Sequence, residues 1–186
     1  MTDSLRFVIV GCGAAKQPRE LVPGKLRVKR YPLRELYTST YFQKKREYAE
    51  TFGDQWAVLS ALHGLRHPDE EFEPYDVSID DLDEAGLDDL AHRVGSVLIE
   101  WTHWETAPVE EVVVLAGKKY LDPLRERDAF SAGIESRVTF PLQQNDLGGI
   151  GEQMAWLDER VSAGQHRQTR LDSSDSSQIE QIGGES

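Results

Sequence analysis

The sequence predicts an α/β fold: a single domain with a predominantly parallel sheet flanked by helices. Three observations carry this reading. Short continuous apolar runs (Arg6-Phe7-Val8-Ile9-Val10, Trp56-Ala57-Val58-Leu59 and Glu111-Val112-Val113-Val114-Leu115-Ala116) have the pattern of strands buried on both faces. Segments with helical periodicity separate them, which is the alternation that builds parallel sheets. Each apolar run also ends in glycine and polar residues, at the edge where such sheets bind ligands.

Composition bounds the rest. A chain of 186 residues suits one well-cored domain, and a 39% hydrophobic fraction with interspersed charge suits a soluble one. No apolar run approaches the roughly 20 residues of a membrane helix. Met1-Thr2-Asp3-Ser4 lacks the basic region of a signal peptide. Cys12 is the only cysteine, so no internal disulfide forms, which fits a reducing cytoplasm. The net charge is −12, unevenly spread: residues 1–50 hold 11 Lys/Arg against 5 Asp/Glu, and residues 51–186 hold 10 against 28. An acidic body repels polyanions at long range. The basic stretch Lys16, Arg19, Lys25, Arg27, Lys29, Arg30 and Arg34 is the exception, open to a phosphate-bearing ligand or to pairing with the acidic surface. The ratio of 14 arginines to 7 lysines, with abundant Asp and Glu, matches a salt-adapted, halophilic proteome.

Taken in order, the first strand ends in Gly11-Cys12-Gly13, followed by Ala14-Ala15-Lys16. Glycines there let backbone N–H groups turn toward an anion, and Lys16 adds charge. The spacing matches neither a P-loop nor a Rossmann fingerprint. Residues 17–34 are rich in proline and basic groups and read as a long irregular loop. Ser39 or Thr38 then caps a helix with one largely aromatic face, carried by Tyr41, Lys45, Tyr48 and Phe52. After the second strand comes a polar stretch from Ser60 through His63, Asp69 and Tyr75 to Asp76, read either as a ligand-facing loop or as a surface turn. Asp80-Asp81-Leu82-Asp83 opens a helix with an acidic first turn, and Leu87, Leu90, Ala91, Val94, Val97, Leu98 and Trp101 carry its apolar stripe. Ala107-Pro108 breaks the chain before the third strand, which ends in Gly117-Lys118-Lys119-Tyr120. A helix through Leu121 and Leu124, a fourth strand at Ser136–Phe140 and a glycine-rich entry at 147–151 into a final helix complete the domain. Periodicity fades after residue 163, so the domain is assigned to 1–163 and a disordered acidic and polar tail to 164–186.

The candidate chemistry sits at the strand ends. Lys16 and Lys118 suit phosphate contact, general acid catalysis or, if desolvated, nucleophilic attack. His63 suits proton transfer or substrate orientation, and Asp76 an ion pair or base role. Tyr37 and Tyr75 suit stacking on a flat ring. His63 and His67 lie four apart, but Gly64 and Pro68 oppose the helix that would align them, so no metal site and no cofactor is expected. Cys12 is either a thiolate beside glycine amides or a buried strand-end residue.

Several of these motifs are shared with a known family. Leu59-Ser60-Ala61-Leu62-His63-Gly64-Leu65 through Glu73-Pro74-Tyr75-Asp76, Val113-Val114-Leu115-Ala116-Gly117-Lys118-Lys119-Tyr120, and Phe7 through Lys16 resemble segments of the YaaA peroxide-stress proteins. The ordered set Cys12-Gly13-x2-Lys16, Leu36-Tyr37-Thr38, Leu59 to Asp76, Leu115-Ala116-Gly117 to Tyr120, and Gly149-Ile150-Gly151 to Leu157 resembles a YaaA-like family of unknown function. A more distant resemblance, carried by Cys12-x3-Lys16, is to the lysine-bearing domain of archaeosine synthase, which modifies a deazaguanine base in tRNA. Gln17-Pro18 stand where that motif has Pro-Tyr. The convergence of three polar strand ends (Gly11–Lys16, Ser60–Asp76 and Gly117–Lys119), together with this resemblance, points to a YaaA-like domain acting on a nucleobase or nucleotide. Lys16, His63 and Asp76 would be its catalytic groups. Cys12, Gly13, Tyr37, Ser39, Ser60, Asp69, Tyr75, Gly117 and Lys118 would be its binding groups. The alternative is a noncatalytic nucleic-acid-binding or oxidative-stress protein that uses the basic segment 16–46.

Overall fold

The computed structural model describes residues 4–103, 108–131, 133–145 and 147–179, with side chains through residue 166. Its centre is a five-stranded sheet in the order β4-β3-β1-β6-β7. Strands β1 (Leu5–Gly11), β3 (Gln55–Ser60), β6 (Val109–Leu115) and β7 (Val138–Thr139) run parallel, and β4 (Gly64–Arg66) is antiparallel at the edge. This is the mostly parallel α/β sheet expected from the apolar runs.

Alternation along the central strands sorts the core into two layers. Phe7, Ile9, Ala57, Leu59, Val112 and Val114 face one side, where α3 (Glu84–His103) and α4 (Lys118–Arg125) bring Leu90, Val94, Leu98, Leu121 and Leu124. Val8, Val10, Trp56, Val58, Val113 and Leu115 face the other, against Phe42 and Ala49 of α2 (Thr40–Phe52) and Leu157 of α6 (Ile150–Ile179). Because both faces are covered, these strands read as unbroken hydrophobic runs.

Local chemistry sets the boundaries. The Ser39 hydroxyl caps α2 by accepting from the Phe42 N–H at 3.2 Å. The acidic run at 80–83 makes a short 3-10 turn, Ile79–Asp81, closed by a reciprocal capping box between Ser78 and Asp81. The α-helix then begins at Glu84, with Asp83 accepting from the Gly86 N–H at 2.9 Å. Residues 17–34 are more ordered than their composition suggests. Leu21 bridges Val28 in a hairpin-like arm turned at Gly24, and β2 (Tyr31–Pro32) pairs antiparallel with β5 (Glu71–Phe72). Helix α1 (Leu33–Leu36) follows, and a second short helix, α5 (Pro141–Gln144), precedes α6.

Helix α6 runs past the residue-164 boundary, and a Cβ on Gly164 would meet the Phe52 ring of α2 at 2.6 Å. Stacking of Tyr48 on Trp156 and an ion pair between Lys44 and Asp158 also bind α6 to α2. Part of the expected chain break, Ala107, and the last residues of the expected tail, 180–186, lie outside the described residues.

Candidate functional site

The sheet has a topological switch point. The connection leaving β1 passes through α2 on one face to β3, whereas the connection leaving β6 passes through α4 on the other face to β7. Between β1 and β6 the loops therefore part, and that crevice is where open α/β sheets bind ligands. Cys12 stands on one side of it and Tyr120 on the other, with Sγ and Oη 3.0 Å apart.

Two residues not singled out as site groups occupy this crevice. Tyr120 is one. The other is Lys45 on α2, only 2% exposed, whose ammonium donates to the Gly11 carbonyl at 2.6 Å and lies 4.5 Å from the centre of the Tyr41 ring. Burial pushes its pKa down to about 8, partly offset by the neighbouring Cys12. In the sequence Lys45 falls on the same helix face as Tyr41, Tyr48 and Phe52, but the pattern does not say that its ammonium is buried against a strand-end carbonyl. Tyr120 reads as an ordinary core residue opening a helix.

Next to the crevice, Tyr75 is the hub. Its ring carries Lys16 Nζ at 4.6 Å from the centroid, His63 edge-on at 4.9 Å and Tyr37 edge-on at 6.5 Å. Its hydroxyl meets Ser60 Oγ at 2.7 Å and the Tyr37 hydroxyl at 2.5 Å. Ser60 accepts from the N–H groups of Leu62 and His63 at 3.2 and 3.1 Å, which leaves its single proton for Tyr75. Burial, helped by the neighbouring phenol and thiol, raises the Tyr37 pKa far above the usual phenol range. Burial and Cys12 raise Tyr75 to about 12 and lift Tyr120 still further. All three phenols therefore stay protonated at neutral pH.

His63 sits in a tight three-residue turn between β3 and β4, with Gly64 in the left-handed region at φ +70°. Its ring packs on Phe72 at 4.1 Å. Burial, then Arg66 and Arg93, lower its pKa, so the imidazole is neutral and keeps one accepting nitrogen at pH 7. Beside this turn opens a cleft of about 390 Å³ with aromatic walls from His63, Phe72 and Tyr75 and with Arg19 and Arg30 at its rim.

The other sequence candidates fall outside the hub. Gly13 is a close-approach position, since a Cβ there would stand 2.8 Å from Ser39 Oγ. Ser39 itself is a helix cap. Asp69 is exposed and pairs with Arg34 at 2.6 Å, with His67 alongside. Asp76 follows Tyr75 on the exposed surface. Gly117 precedes α4, and Lys118 is its exposed first residue; neither lines the cleft. The structure thus gathers Lys16, Tyr37, Ser60 and His63 around Tyr75, with Cys12 at the adjoining crevice; of the sequence candidates only His63 and Tyr75 line the cleft, and Lys118, Asp69 and Asp76 lie outside its lining. Among the described residues no group of three or more His, Cys, Asp or Glu side chains is arranged to hold a metal ion, and no helix is long and apolar enough to cross a membrane.

These features make an α/β domain with aromatic and cationic side chains clustered at its strand ends. The chain belongs to a family of unknown function (DUF6884), whose model matches residues 7–159 and so spans the whole site from Cys12 to Tyr120. It is 30% identical over 162 residues to the uncharacterized protein YfjM of Bacillus subtilis (strain 168), covering 84% of this chain and 95% of that protein. No solved structure matches the chain.

Proposed function

We propose that this domain binds, and with Lys16 modifies, a flat nitrogen heterocycle of the nucleobase type. The observation that carries the reading is the Tyr75 ring, which forms one wall of the cleft while Lys16 and His63 both rest against it. A planar ligand gains from packing on aromatic surface with polar groups at its edge, and His63, Phe72 and Tyr75 line the cleft with such surface. The neutral His63 imidazole then handles ring N–H protons, and Lys16 serves as acid or nucleophile. The motif likeness to YaaA-type proteins and to the archaeosine synthase domain supports the same ligand class.

Mass spectrometry of small molecules retained by the purified protein tests this directly. A purine or deazapurine is expected in the wild type and not in Lys16→Met. A Lys16→Met protein that folds and keeps both ligand and turnover would refute the role of Lys16.

A second reading has its own observation. In the arm at 21–28, Leu26 is fully exposed between Lys25 and Arg27, and neither cation has a carboxylate partner among the described residues. That arm suits a noncatalytic nucleic-acid contact. Binding would then weaken steeply with salt and vanish when Lys25, Lys29 and Arg30 are neutralised.

A further inference from the structure

We propose that the cleft selects a nucleoside monophosphate over the free nucleoside or base, with Arg30 and Arg19 taking the phosphate. The inference rests on the reading that His63, Phe72 and Tyr75 hold a nucleobase-type ring, and it adds what lies at the other end of the ligand.

The charge at the rim is the argument. Arg30 donates from one guanidinium nitrogen to the Glu71 carbonyl and has no carboxylate partner among the described residues. Most of its five N–H bonds are left to face the cleft or solvent. Arg19 donates to the Pro74 carbonyl at 3.4 Å and pairs with Glu73 at 3.3 Å, a long contact in which both side chains are about half exposed or more. Exposed pairs of that kind contribute little to stability. A phosphate offers the same guanidinium shorter, bidentate, charge-assisted bonds, so Glu73 is readily displaced. The lining holds two guanidinium groups against one carboxylate, a local excess of positive charge on a chain of net −12. In such a field an uncharged nucleoside leaves Arg30 without a counter-ion, whereas a monophosphate supplies one.

Geometry agrees with a small ligand. The cleft of about 390 Å³ lies at the lower end of small-molecule sites, with room for one ring, one sugar and one phosphate. The pairing of β2 with β5 ties the segment carrying Arg30 to the one carrying Phe72, so cation and ring wall keep a fixed separation. Phosphate and ring are thus read together.

The experiment is calorimetric titration of the full chain with adenosine and guanosine, each against its monophosphate, and with inorganic phosphate and a short single-stranded oligonucleotide. One monophosphate is expected to bind about tenfold or more tightly than its nucleoside, as for a charge-assisted bidentate contact. Arg30→Gln is expected to collapse that difference. Arg30→Lys, which keeps the charge but not the planar fork, is expected to restore part of it, and it serves also if the glutamine variant fails to fold. Equal affinity for nucleoside and monophosphate, unmoved by Arg30→Gln, overturns the phosphate assignment and leaves the ring reading standing. No binding of any nucleoside or monophosphate overturns both. Binding of the oligonucleotide alone overturns the choice of a mononucleotide in favour of a polymer.

Discussion

Lys45 offers the sharpest physical test of the crevice. An ammonium whose pKa falls from 10.5 to about 8 on burial costs the fold about 3 kcal/mol at neutral pH, at about 1.4 kcal/mol per tenfold change. The sign of the pH dependence follows. Below pH 8 both folded and unfolded chains carry the proton, and stability does not vary on this account. Between pH 8 and 10.5 the unfolded chain binds more protons than the folded one, so stability rises with pH. At pH 9 the gain over pH 7 is about 1 kcal/mol. Tyr37, Tyr75 and Tyr120 act oppositely, since their folded pKa values are raised and their contribution is lost only above about pH 10. Denaturant unfolding between pH 7 and 9.5 therefore stays below the range in which these phenols act.

Lys45→Met removes the penalty but leaves the Gly11 carbonyl without its donor, a loss of about 1–3 kcal/mol. The two nearly cancel. At pH 7 the variant is expected within about 2 kcal/mol of wild type, rather than the 2–5 kcal/mol lost when a core side chain is truncated. Its stability should also lose the rise between pH 7 and 9.5. A wild-type profile that is flat over this range, or a methionine variant that keeps the rise, refutes the assignment of a desolvated ammonium beneath β1.

Other substitutions probe the frame around the site. Gly64→Ala places a Cβ on a residue at φ +70° and is expected to lower stability by about 1–2 kcal/mol, read as a fall of several degrees in the thermal midpoint. Gly13→Ala drives a methyl to within 2.8 Å of Ser39 Oγ; thermal melts should show a loss of about 1–3 kcal/mol, as for overpacking elsewhere. Tyr75→Phe strands the hydroxyls of Ser60 and Tyr37 and should cost about 1–3 kcal/mol in urea unfolding while keeping the ring wall of the cleft. Arg34→Ala removes the pairs to Asp69 and Glu50, and a loss near 1 kcal/mol with unchanged ligand affinity would place Asp69 in the scaffold rather than the site.

The central strands were legible because burial on both faces leaves no polar residue in Val8-Ile9-Val10 or Val112-Val113-Val114-Leu115. Their convergence at one edge was legible too, because parallel order follows from intervening helices such as α3. The short pieces were not. Strands of two or three residues, such as Gly64–Arg66 and Glu71–Phe72, show no period, and their pairing is decided by the chain that lies beside them. The stretch from Ser60 to His63 carries polar side chains for a reason that pattern alone does not expose: the Ser60 hydroxyl holds two N–H groups of a tight turn. Lys45 and Tyr120 were missed because a helix position reveals its face but not the carbonyl or thiol it meets across the core.

The hydrogen-bond count separates frame from site. Ser60 spends both lone pairs on the turn and its proton on Tyr75, and the Tyr75 hydroxyl is further engaged by Tyr37. Cys12 is engaged by Tyr120, and Lys45 by Gly11. These groups share their bonds within the protein, and they hold the ends of β1, β3 and β6 in register. What they leave open are the parts of the His63, Phe72 and Tyr75 rings that line the cleft, the ammonium of Lys16, whose polar contact is the Ala14 carbonyl two residues away at 3.2 Å, and the guanidinium of Arg30. Lys16 and Arg30 are both cations, and the ring faces are flat. On the proposed reading, a ligand that meets the ring walls and Arg30 together is flat at one end and anionic at the other.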